Sequence, residues 1–136
     1  MSVSFSVGRE SWEIGAAAFL KAFFSTIFVR LENRSWGNRF PTIMNQLYSG
    51  RLSNREVESA TVELKIIRDE LSAFSPDQII WDFEDETAQP PWGSKISQHI
   101  TSLANYFVTS RGKDLFEVLF DALESATRNV QDVSIA

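Results

Sequence analysis

IIWDFEDETAQPPWG, residues 79–93, separates a mixed α and β protein from a purely helical one. Along an extended backbone, alternation sends Ile79, Trp81 and Phe83 to one side and Ile80, Asp82 and Glu84 to the other, with Asp85 and Glu86 at the exit. A strand over Gln78–Glu84, anchored through its aromatics and ending in acids, reads as a docking surface. The Pro90-Pro91-Trp92-Gly93 loop follows. Its rigid Pro-Pro turn either folds Trp92 back as a lid over the strand or presents it as an interface anchor, a role in which Trp is enriched.

Upstream, Ser2–Val7 alternates small polar and apolar residues, the period of a strand with one buried face, and Gly8 ends it. From Ser11 or Trp12 to about Leu31, apolar residues at Ala16, Phe19, Leu20, Phe23, Phe24, Ile27 and Leu31 keep helical spacing. Asn33–Asn38 is turn-like; Pro41 then opens a short helix through Ile43, Met44 and Leu47, stopped by Gly50. Ser53-Asn54-Arg55-Glu56 has the form of a capping box, and a long helix follows with its stripe at Val57, Ala60, Leu64, Ile67, Leu71 and Phe74. Pro76 closes it.

Downstream, Asp85 to about Ser97 is a long loop, and Ile96–Leu103 has room for one or two helical turns. Tyr106–Val108 reads as a third strand, turned by Arg111-Gly112-Lys113 into a helix capped by Asp114, with its stripe at Leu115, Phe116, Leu119, Phe120, Leu123 and Ala126. Gln131–Ile135 has the pattern of a last short strand. The expectation is a single α+β domain over residues 1–136. It has a small mixed or antiparallel sheet of about four strands, with helices packed mainly on one face.

The chain of 136 residues is long enough for one core and rich enough in apolar and aromatic residues to fill it. Cysteine is absent, which removes disulfides, thiolate nucleophiles and Cys-based zinc sites. The first residues lack a basic, then apolar, export signal, and the densest apolar run, Ile14–Leu31, is broken by Lys21, Ser25, Thr26 and Arg30. A cytoplasmic protein is expected, with no membrane partner. Net charge is −5, unevenly shared: residues 1–68 carry nine Lys and Arg against six Asp and Glu, whereas residues 69–136 carry four against twelve. Between Asp69 and Ser94 there are seven acids and no base. That imbalance favours a basic partner over nucleic acid, although acidic patches also serve solubility alone.

Tests for chemistry find little material. The one histidine, His99, has no nucleophile elbow to serve, and the six glycines never approach a phosphate-loop spacing. Asp82 and Glu84, sharing a strand face, are the one carboxylate pair suited to a divalent cation or to acid and base roles, but their spacing is not that of a calcium loop. The expectation is a protein that is not an enzyme and carries no cofactor and no metal. A carboxylate-dependent metal-binding protein or enzyme, and a general interaction adaptor, are the alternatives.

Four blocks carry a resemblance: SVGRESWEIG (6–15), FPTIMNQLYSGRL (40–52), WDFEDETAQPPWG (81–93) and ISQHITSLANYFVTSRGKDLFEVLFDAL (96–123). Together they are similar to the immunity protein 70 family of bacterial polymorphic toxin systems. The most specific pieces are WD-x-ED followed by PPWG, and NYFVTS-x-GKDLFEVLF. The resemblance implies a small protein encoded beside a toxin, which protects the producing cell by binding the toxin's effector domain. It brings no catalytic residues and no assigned contact site. The acids suit a basic effector such as a nuclease, with Asp82, Glu84, Asp85, Glu86 and Trp92 as the candidate partner-binding residues.

Overall fold

A computed structural model describes residues 2–136. The first strand, β1 (Ser2–Val7), forms where alternation places it, with Phe5 and Val7 buried. Gly8, at φ +58°, supplies the left-handed backbone that a tight hairpin turn needs, and the chain returns as β2 (Glu10–Ala16). The expected helix start at Ser11 or Trp12 is therefore displaced to Ala17. Ser11–Ile14 also fits a period of two, and pairing of Phe5 with Trp12 and of Ser6 with Ser11 captures it for the sheet.

Helix α1 (Ala17–Thr26) continues into a π-helical stretch, Ile27–Leu31, and buries Phe19, Leu20, Phe23, Phe24 and Ile27. The following turn is organised by Glu32, whose buried carboxylate accepts from the backbone N–H groups of Gly37, Arg39 and Phe40 at 3.0–3.1 Å. A second π-helical stretch, Thr42–Leu47, leads to the two-residue strand β3 (Arg51–Leu52).

Ser53 accepts from the N–H of Arg55 rather than that of Glu56, so the capping box is replaced by a 3₁₀ turn, Asn54–Glu56. Helix α2 (Val57–Leu71) then buries Val57, Ala60, Leu64, Ile67 and Leu71 as its spacing dictates. Helix α3 (Leu115–Asn129) is capped by Asp114, which accepts from the N–H of Phe116 at 2.8 Å, and buries Leu115, Phe116, Leu119, Leu123 and Ala126. Strand β4 (Val133–Ile135) closes the chain.

The fold is α+β, with one open antiparallel sheet in the order β2-β1-β4-β3. Phe23 sits at the centre of the core, edge-on to Phe107 and Phe116 with ring centroids 5.4 Å from each.

Two expected strands do not form. Pro76–Gln78 is a 3₁₀ turn, and Ile79–Glu84 has no strand partner. Tyr106–Val108 contributes one isolated bridge, Val108 to Asp114, and Ile96–Leu103 is a series of turns without helix. Their places in the four-stranded sheet belong to β2 and β3. The reason lies in α1: the Ser25 and Thr26 hydroxyls donate to the carbonyls of Lys21 and Ala22, and accept from the N–H groups of Phe83 and Ile80 at 3.0 and 3.2 Å. Arg30 donates to the Gln78 carbonyl at 2.8 Å. The Gln78 carbonyl and the amides of Ile80 and Phe83 thus find their partners on the helical segment in place of a ladder.

Candidate partner-binding surface

Residues 79–93 form a strap across α1 and the π-helical stretch that follows it. Ile80 is buried at the point where Thr26 holds its amide. Beyond it the strap's aromatics diverge, instead of sharing one strand face. Phe83 enters a cluster with Phe28, Trp36 and Tyr48, at centroid distances of 5.8, 5.0 and 6.3 Å. Trp81 turns to Trp92, edge-on at 5.3 Å.

The candidate acids have partners within the chain. Asp82 and Glu84 both hold Lys21, the former at 3.2 Å, and the Lys21 ammonium lies 5.0 Å above the Phe83 ring. Glu86 forms a two-pronged pair with Arg34, at 2.6 and 3.0 Å. Among the described residues Asp85 pairs with no cation: its carboxylate accepts from the N–H and hydroxyl of Thr87, closing a local turn. The backbone N–H of Glu84, and then Lys21, hold the Asp82 carboxyl below the usual carboxylate range. The Arg34 hydrogen bonds do the same for Glu86, and the bond to Glu84 raises Lys21.

These pairs are surface features. The Glu84 side chain is 65% exposed and that of Arg34 55%, so they fix the strap's position more than they add stability. Arg30 also acts on Glu86, so the four strap acids face three bases, Lys21, Arg30 and Arg34, and the surface is left only slightly negative. Asp82 and Glu84 do converge, on an ammonium. Among the described residues, no group of three His, Asp or Glu side chains has the arrangement that a metal ion requires.

Trp92 is both things the sequence allowed. Its indole N–H donates to the Tyr106 hydroxyl at 2.9 Å and its ring covers Trp81, yet 37% of it stays exposed. Desolvation raises the Tyr106 phenol above its ordinary range.

Sequence reasoning missed the aromatic cluster and its supports. Trp36 donates from its indole to the Met44 carbonyl at 2.9 Å and packs on Tyr48 at 4.8 Å, which leaves Tyr48 39% exposed. The available signal was Ser25-Thr26 inside an apolar helix, since buried hydroxyls there require partners from elsewhere in the chain. The bases Lys21 and Arg34, 61 and 52 residues from Asp82 and Glu86, offered no local cue.

Among the described residues, no helix is long and apolar enough to cross a membrane. No curated protein and no solved structure matches the chain. The family model for immunity protein 70 matches residues 5–135, which takes in β1 from Phe5 onward, β2–β4, the three α-helices and the whole strap. The chain belongs to the immunity protein 70 family.

Proposed function

We propose that the protein neutralises a cognate bacterial toxin by binding its effector domain in the cytoplasm of the producing cell, acting as one domain and without catalysis of its own. The observation that carries this reading is the family match over residues 5–135. The contact surface is the strap face, with Asp82, Glu84, Asp85, Glu86 and Trp92. Its four acids exceed the three bases Lys21, Arg30 and Arg34, which favours a basic effector such as a nuclease. Exposed ion pairs exchange partners at small cost, so Asp82, Glu84 and Glu86 remain available to an incoming Lys or Arg.

Co-expression with the effector domain encoded by the adjacent reading frame is the test. Growth should be restored and a stable complex recovered. Continued killing, with no complex, defeats the proposal. Replacing Asp82, Asp85 with Asn and Glu84, Glu86 with Gln should slow association and flatten its dependence on salt while the sheet and helices stay folded.

A further inference from the structure

Beside the strap lies a groove of about 260 Å³. Its floor is Leu20 and Phe24, one turn apart on α1; Val3 of β1, Ile135 of β4 and Tyr48 form its walls; Lys21 stands at its rim. Leu20 and Phe24 are nearly inaccessible, whereas Tyr48, edge-on to Phe24 at 5.1 Å, keeps its outer side free. Clefts that hold drug-sized ligands run from ~300 to 1,000 Å³, so this volume suits a single large side chain better than a small molecule. The lining is mostly apolar, so that side chain is apolar too.

What stands at the rim specifies the rest. Lys21 is held by two carboxylates, Asp82 and Glu84, so the three groups together carry one uncompensated negative charge. One further cation completes the cluster. The π-helical stretches Ile27–Leu31 and Thr42–Leu47 supply Phe28 and, at its end, Tyr48 to the adjoining cluster, and such irregular helical turns occur frequently at functional sites.

We infer that this groove is the anchor pocket for the effector domain: it takes one large apolar side chain, with a Lys or Arg of the same segment seated against Asp82 and Glu84. The inference rests on the reading of the protein as a toxin-binding immunity protein. It adds a residue-level site that differs from the acids alone, because the accessible walls, Tyr48 with Val3 and Ile135, carry the affinity while the acids govern encounter.

The test is titration of the adjacent frame's effector domain against the intact protein and three variants. Tyr48→Ala removes one wall. Ala17→Glu, at the exposed first position of α1 beside the groove, places a charged chain across the opening at a helix start that tolerates an acid. Val62→Glu, on the exposed face of α2, is the control. Both groove variants should weaken binding by about 30-fold or more, chiefly through faster dissociation, with unchanged far-ultraviolet circular dichroism and with the control unaffected.

A wild-type complex that both groove variants match within about two-fold overturns the anchor pocket and leaves the immunity reading intact. Failure of the wild-type protein to bind or to rescue growth overturns both. Groove variants that change self-association in sedimentation, and not effector binding, show that a second copy fills the groove and likewise overturn the inference.

Discussion

Leu64 and Ile67 of α2 reach the core because helical spacing aims them there, and α3 answers with its own stripe from Leu115 to Ala126. Trp81 and Phe83, two residues apart on the strap, reach different clusters because the helix beneath them captures the intervening backbone. In the first region, backbone periodicity comes first and side-chain contact follows from it. In the second, side-chain contacts hold a backbone that has no periodicity of its own. The helical pair is thereby built for stability, and the strap for presenting a surface whose parts can be altered one at a time.

The largest effect is expected in the helical pair. Leu64→Ala should cost about 3 kcal/mol, a lost transfer term plus a cavity, and lower the melting midpoint by on the order of 10 °C. Chemical denaturation measures it. The contrast breaks if this change costs no more than one in the strap.

A smaller loss is expected for Thr26→Val, which conserves shape but leaves the buried Ile80 amide without its acceptor. About 2 kcal/mol is the scale for one unsatisfied buried donor. Hydrogen exchange at the Ile80 amide should accelerate more than exchange in α3. Equal acceleration in both would mean that strap and helices open as one unit.

The smallest effect is the strap's response to acid. The carboxyls of Asp82 and Glu86 have pKa values lowered by folding, so their contribution is fully present above the ordinary carboxylate range and is lost as pH falls through their depressed values. Trp81 and Trp92 fluorescence should therefore stay constant from pH 8 to 5 and change only below about pH 4. A change near neutrality would assign the strap's docking to some other group.

The same contrast explains what could be read in advance. The stripes of α2 and α3, the Asp114 cap, β1 and β4 are all legible because each depends on residues within one or two turns or pleats. The four-strand count was legible too, but not its membership. Ser11–Ile14 satisfies both a strand pattern and the approach to a helix, and only pairing with β1 selects between them. At the site, the acids and Trp92 stood out by composition, whereas Phe28, Trp36 and Tyr48 were scattered singly among helices and turns.

By itself the sequence determined the α+β class, the long helices with their buried faces, and the family signature, because local spacing and motif carry those. Only the tertiary structure decided that residues 79–84 are a strap and not a strand, and that three of the four acids from Asp82 to Glu86 are already paired. Both outcomes come from groups more than 50 positions away, Thr26 against Ile80 and Arg34 against Glu86, whose proximity exists only once the chain has folded.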